Sequence, residues 1–184
     1  MGFDVTDYHD ALTAAMTWLG EQPSVVFLGQ GVANNGTSMS TTFEDVPPER
    51  RVEMPVAEEM QVGMCVGMSL AGFVPVCVIP RWNFALRAAD QIVNHMDALP
   101  LYSGGGYRPK VILRVAAPST HPFNPGPQHD GDFTEGFRQM LRTTTLETLR
   151  HAGDIMPAYR RAFGRNGCTI LVEYTDLYRN ARAR

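Results

Sequence analysis

Short apolar runs alternate with amphipathic stretches along most of the chain. The runs of strand length, which we predict to be β-strands, cover residues 25–28, 51–54, 74–79, 110–115, 144–148 and 168–173. Apolar positions recur at helical spacing between them, which predicts helices at residues 6–20, 57–70, 84–96, 132–141 and 154–163. Strands that alternate with helices favour an α/β fold with a doubly wound, mostly parallel sheet flanked by helices.

In such a sheet, ligands bind beyond the carboxyl ends of the strands. Three segments at predicted strand ends carry polar or aromatic residues: Gly29–Gly31, Arg81–Phe84, and the loop with His121 and His129. Residues 29–50 lack hydrophobic periodicity and are rich in glycine, asparagine and proline, which is typical of a binding loop. We expect the functional site where these segments meet.

Composition narrows the class of protein. The 184 residues suit a single domain over residues 1–184, and 44% hydrophobic with 19% charged residues excludes a disordered chain. A net charge of −3 disfavours nucleic acid as a partner. Neither a membrane-spanning run nor a signal-peptide pattern is found, so we expect a cytoplasmic protein without membrane contact. The three cysteines stand singly, which favours buried free thiols over disulfides or a zinc site.

Glu58 and Glu59 open a predicted helix that is otherwise apolar and rich in glycine. Acidic residues in a first helical turn often do no more than interact favourably with the helix dipole. Because this helix is expected to be mostly buried, however, Glu58 could lie in an apolar pocket, where a carboxylate needs a partner. The same helix has Gly63 and Gly67 one turn apart, which usually marks a close contact between helices.

Trp82 and Phe84 follow a buried strand, and core packing is the default interpretation of both. A strand end is also where a planar ligand would stack on an aromatic ring.

His129 lies in a proline-rich loop with His121 before it and Asp130 and Asp132 after it. It is either an exposed loop residue or a proton-transfer group. A metal site built from these residues is a weak alternative, because their spacing matches no common metal-binding motif, and we expect no metal ligands in this chain.

Taken in order, these motifs resemble the pyrimidine-binding N-terminal domain of the beta subunit of thiamine-diphosphate-dependent 2-oxo-acid dehydrogenases, a domain shared in outline with transketolase. The segments that carry the resemblance are Met54–Glu58, Val62–Gly72, Trp82–Phe84, Ala89–Asn94, Ser103–Gly105 and Gln128–His129.

The resemblance implies thiamine diphosphate as cofactor and a role for each candidate residue. Glu58 would hydrogen-bond the aminopyrimidine ring and favour the tautomer that deprotonates the thiazolium. Phe84, with Trp82 beside it, would stack on the pyrimidine, and Gln30 would support the cofactor site. His129, with His121, would face the substrate and donate or accept protons. Glu58 and His129 are therefore the predicted catalytic residues.

The departures from the family pattern also matter. Gln30 stands where the family has a glutamate, and residues 116–125 replace a glycine-rich segment, which suggests a changed substrate. No Gly-Asp-Gly motif for diphosphate and Mg²⁺ is found, and the chain ends where the family continues into a C-terminal domain. We therefore expect a partner subunit that holds Mg²⁺ and the diphosphate, in an assembly of heterotetramer type.

The predicted function is the pyrimidine subunit of a two-component enzyme. It would cleave a 2-oxo acid or a ketose next to the carbonyl and pass on the acyl or two-carbon unit, as a decarboxylase, an acyloin-forming enzyme or a transketolase-like enzyme. The alternative is a non-catalytic binding or regulatory subunit that keeps the fold. A metal-dependent hydrolase built on His121, His129, Asp130 and Asp132 is a distant third.

Overall fold

The computed structural model describes residues 8–118 and 126–180, and its centre is a sheet of six strands. The strands are β1 Val25–Gly29, β2 Arg51–Glu53, β3 Val74–Ile79, β4 Ile112–Ala117, β5 Thr145–Leu149 and β6 Thr169–Tyr174. Every residue of β3 and β4 is buried, as expected for the continuous apolar runs of a sheet covered on both faces.

The strand order is β2-β1-β3-β4-β6-β5, and every neighbouring pair is parallel. The predicted α/β class is thus confirmed, with all six strands parallel rather than most of them. All carboxyl ends lie at one edge of the sheet, and Gly29 at the end of β1 is in register with Glu53 on one side and Val78 on the other.

The α-helices are α1 Tyr8–Gly20, α2 Glu58–Leu70, α3 Trp82–Ala85, α4 Leu99–Tyr102, α5 Thr134–Met140 and α6 Ala152–Gly164. Short 3₁₀ helices cover Ser38–Phe43, Pro48–Arg50, Leu86–Ala88 and Thr175–Asn180, and a π-helix covers Gln91–Asp97. The single helix predicted over residues 84–96 is therefore three consecutive helical segments with different hydrogen-bond periods.

The apolar core has two halves, one on each face of the sheet. Helices α1 and α6 pack on one face, together with the 3₁₀ helix Ser38–Phe43. Helix α2 and the segments after β3 cover the other face, where Cys65, Cys77 and Cys168 are buried as free thiols. Helices on both faces explain why the central strands carry almost no polar residues.

The two glycines of α2 differ in their surroundings. A Cβ on Gly63 would come within 3.2 Å of the Gln91 side-chain oxygen, whereas a Cβ on Gly67 would meet nothing within 4 Å. The predicted close helix contact is therefore present at Gly63 and absent at Gly67 within the described part of the chain.

Candidate functional site

Glu58 is the first residue of α2 and is only 4% exposed. One of its carboxylate oxygens, Oε1, accepts a hydrogen bond of 2.9 Å from Nε2 of Gln30, which directly follows β1 and is also buried. Within residues 8–118 and 126–180, no hydrogen-bond donor contacts the other oxygen, Oε2. The structure thus brings together two predicted site residues and leaves half of the carboxylate available to a ligand.

An open cleft of about 460 Å³ lies between the start of α2 and the helical segments after β3. Glu58, Met60, Arg87 and Gln91 are among the residues that line it. Glu58 is mostly buried and is one of the residues that line this cleft, so a ligand there would lie beside a carboxylate that is largely shielded from bulk water. Such burial strengthens a hydrogen bond.

Phe84 and His129 form a second pair. Their rings are 5.4 Å apart at an interplanar angle of 74°, an edge-to-face contact, and both side chains are partly buried. The backbone of His129 is held by its own N–H to Gly126 and by Nη1 of Arg81, which donates to its carbonyl over 3.4 Å. His129 Nδ1 is buried and has no hydrogen-bond partner among the described residues. The loop after β4 thus places an unpaired imidazole nitrogen beside the predicted stacking ring.

Trp82 lies elsewhere. Its side chain is fully buried, stacks on Phe137 at 4.8 Å, and donates from Nε1 to Thr134 over 3.0 Å. These contacts use both the ring face and the polar atom of Trp82 to attach α5 to α3. The core-packing interpretation fits this geometry, while the predicted role of Trp82 in binding the cofactor gains no support from it.

His121 lies outside the described residues, so its predicted contact with substrate stays a prediction. Of the acidic residues near His129, Asp132 accepts a hydrogen bond from the backbone of Thr134. Among the residues that the structure describes, no three His, Cys, Asp or Glu side chains form a group that could hold a metal ion. The hydrolase alternative therefore has no support in this part of the chain.

Glu53 is a residue that the sequence did not single out. Its carboxylate accepts four hydrogen bonds, from the backbone amides of Gly31, Val32, Ala33 and Asn34, at 2.7 to 3.1 Å. Burial raises the pKa of Glu53, but these amides outweigh burial and hold it below its ordinary value. The only signal in the sequence was an acidic residue within the predicted short strand at residues 51–54.

Residues 5–180 match the protein family described as transketolase, pyrimidine binding domain. The beta subunit of the mitochondrial pyruvate dehydrogenase E1 component of Chaetomium thermophilum is 33% identical over 118 residues, which are 62% of this chain and 30% of that protein. The same subunit of Saccharomyces cerevisiae is 31% identical over 129 residues, or 68% of this chain and 35% of that protein. The chain thus spans about a third of the length of these relatives.

A solved structure of a split-gene transketolase, an inactive beta4 tetramer, has a TM-score of 0.68. It is 21% identical and covers 90% of this chain, while this chain covers 50% of it. At this identity the likeness supports the fold. No described helix is long and apolar enough to cross a membrane.

Proposed function

Because the chain belongs to the transketolase pyrimidine-binding domain family, we propose that it forms the pyrimidine-binding part of a thiamine-diphosphate-dependent enzyme. The observation that carries this proposal is the buried carboxylate of Glu58, a residue that lines the cleft, with one oxygen hydrogen-bonded to Gln30 and the other without a donor among the described residues. The predicted cytoplasmic location stays a prediction, since some of the relatives are mitochondrial and others chloroplastic.

The chemistry of this donor set suits the cofactor. A carboxylate binds strongly to a donor on a nitrogen heterocycle, and the low exposure of Glu58 makes the bond stronger than it would be in water. Thiamine diphosphate, when bound, supplies the carbon nucleophile that attacks the carbonyl of a 2-oxo acid or ketose. Glu58 would orient the pyrimidine and hold a proton in exchange with it, and Gln30 would fix the direction of that carboxylate.

Phe84 and His129 have complementary roles in the proposal. A face of Phe84 would stack on the planar pyrimidine, next to the edge-to-face contact between Phe84 and His129. The unpaired Nδ1 of His129 would donate a proton to, or accept one from, the substrate oxygen. The loop after β4 would then contribute to the choice of substrate.

A partner is part of the proposal. The relatives are named as beta subunits of the pyruvate dehydrogenase E1 component, and that name denotes one chain of a larger enzyme. We infer that a second, alpha-like subunit holds the diphosphate and Mg²⁺, in a heterotetramer. The substrate would be a 2-oxo acid or a sugar.

The first test is purification of the tagged chain from its source cells, followed by mass spectrometry of what copurifies. We expect a stoichiometric partner with a Gly-Asp-Gly motif, and thiamine diphosphate bound by the assembly but not by the chain alone. Absence of both the partner and cofactor binding would contradict the proposal and favour the non-catalytic subunit.

A further inference from the structure

We propose that Glu53 is a positioning residue that holds Gln30 in place against Glu58. The importance of that pair for a cofactor rests on the function proposed above. The positioning itself depends on contacts within this chain alone.

The Glu53 carboxylate binds the loop that begins directly after Gln30. Its Oε1 accepts from Gly31 at 2.7 Å, and its Oε2 accepts from Val32, Ala33 and Asn34 at 3.0, 2.8 and 3.1 Å. Because one carboxylate accepts hydrogen bonds from four consecutive backbone amides, the backbone of this loop curves around the Glu53 side chain. Because bonds to a charged acceptor are among the stronger hydrogen bonds in proteins, this loop has one strongly preferred path.

The sheet anchors Glu53 itself and the residue before Gln30. Glu53 is the last residue of β2 and is in register with Gly29, and the amide of Met54 donates to the Gly29 carbonyl over 2.8 Å. On the other side, the amide of Gln30 donates to the carbonyl of Val78 over 3.4 Å. The backbone is thus fixed immediately before and after Gln30.

Gly31 makes the turn possible. Its φ of +70° is in the left-handed region, and a Cβ there would come within 2.6 Å of Ser40 Oγ and 2.9 Å of Thr37 Oγ1. The chain therefore makes a tight turn directly after Gln30. The 3₁₀ helix Ser38–Phe43 packs against one side of this turn, and Glu53 hydrogen-bonds to the other side. With its backbone fixed this way, the Gln30 side chain is aimed at Glu58 Oε1, 2.9 Å away.

The role of Glu53 depends on its charge. The four amides keep its pKa below the ordinary value, so the carboxylate is ionised at neutral pH. Glu53→Gln keeps the shape of the side chain, but it replaces a charged acceptor of four hydrogen bonds by a neutral amide with one acceptor oxygen. We expect the loop to open and Gln30 to lose its fixed direction.

The test is ¹H–¹⁵N NMR of the 184-residue chain, which needs neither partner nor cofactor. The side-chain amide signal of Gln30, assigned by its loss in Gln30→Leu, reports the hydrogen bond to Glu58 directly. In Glu53→Gln we expect this signal to move to the position of a solvent-exposed glutamine. Hydrogen exchange at residues 31–34 should speed up by about tenfold or more, since each bond to a charged acceptor contributes substantially.

Asp97→Asn is the matched control. Asp97 is also buried and accepts backbone amides from Arg142, Thr143 and Thr144, but these belong to the loop before β5, near the opposite edge of the sheet. Loss of the Asp97 charge in this variant should lower the free energy of unfolding without moving the side-chain amide signal of Gln30. A change that affected Gln30 equally in both variants would mean general destabilisation and would overturn the inference.

Gly31→Ala tests the same contact between Glu53 and residues 31–34 by changing the loop instead of the carboxylate. It serves as the second variant in case Glu53→Gln does not fold. The added methyl group would displace the turn from Ser40, and we expect the same shift of the Gln30 signal. An unchanged Gln30 signal in either folded variant would overturn the inference. Failure of the assembled protein to bind thiamine diphosphate would instead count against the proposed function and leave the positioning of Gln30 intact.

Discussion

Glu58 and Glu173 are both buried carboxylates, but they differ in their partners. Among the residues that the structure describes, Glu58 is 4% exposed and its side chain accepts a hydrogen bond only from the neutral amide of Gln30. Glu173, near the end of β6 on the other face of the sheet, is 0% exposed and faces the guanidinium of Arg114. Burying a carboxylate is unfavourable in free energy unless the charge is paired and hydrogen-bonded. A single neutral donor offsets this cost at Glu58, whereas a cation offsets it at Glu173.

Every oxygen of Glu173 is occupied. Arg114 binds both oxygens, from Nε and from Nη2, and Tyr159 and Tyr178 each donate a hydroxyl hydrogen bond. A further nitrogen of Arg114, Nη1, donates a hydrogen bond to the Thr42 hydroxyl over 2.9 Å. Burial, together with the charge of Glu173, raises the pKa of Tyr159 and of Tyr178, so both hydroxyls stay protonated donors.

The difference separates a structural carboxylate from one available to a ligand. The two oxygens of Glu173 already accept four hydrogen bonds, so the carboxylate has no acceptor site left for a ligand. The side chain lies in the core between the sheet, α6 and the C-terminal 3₁₀ helix. Glu58 has an oxygen without a donor among the described residues, and the residue lines a cleft. Burial alone would not distinguish them; the count of partners does.

The largest effect is expected for Glu58→Gln in the assembled enzyme. The substitution keeps the shape of the side chain but removes its charge, and the rate should fall about 10²- to 10⁴-fold, the usual contribution of a proton-transfer group. Steady-state kinetics at saturating thiamine diphosphate measures it. Glu49→Gln, at an exposed glutamate away from the cleft, should leave the rate unchanged. Equal rates for Glu58→Gln and wild type would favour the non-catalytic subunit.

Arg114→Met should act on stability. It leaves Glu173 buried with only tyrosine hydroxyls, and loss of one partner of a buried pair costs about 3–5 kcal/mol. Urea denaturation followed by circular dichroism measures the free energy of unfolding. A loss below about 1 kcal/mol would contradict the view that Glu173 depends on Arg114.

The smallest effect is expected at the exposed pair of Arg161 and Glu147. These side chains are 57% and 25% exposed, with the two charged atoms 2.6 Å apart. Solvent weakens such a pair, so Arg161→Met should cost about 0–1 kcal/mol in the same urea experiment. A loss as large as that of Arg114→Met would show that burial is not what separates the two ion pairs.

The sequence predicts the fold well where burial is complete. Strand β3 is observed at the predicted residues, and β4 is shifted by two residues toward the loop, at Ile112–Ala117. Apolar runs identify such strands because both faces of the sheet are covered. The division of residues 84–96 into three segments was not predictable, because segments of 4, 3 and 7 residues are too short for their apolar positions to distinguish α, 3₁₀ and π geometry.

The site is predicted less completely than the fold. Glu58 and His129 carry recognisable motifs, but the Gln30–Glu58 bond joins residues 28 positions apart. The Arg114–Glu173 bond spans 59 positions, and an isolated charge within an apolar strand does not say which residue will neutralise it. The contacts of Glu53 can be predicted only when the register of β1 and β2 is known. The packing of Trp82 can be predicted only when the position of α5 is known. Pairings of this kind depend on the tertiary fold rather than on local pattern.

The most direct test of the account is a crystal structure of the assembled protein with thiamine diphosphate bound. We expect a ring donor of the cofactor about 2.7–3.2 Å from Glu58 Oε2, with Gln30 still on Oε1. The network of Arg114 and Glu173 should be unchanged. A cofactor bound without contact to the Glu58 carboxylate would contradict the central claim that this half-satisfied carboxylate is kept for a ligand.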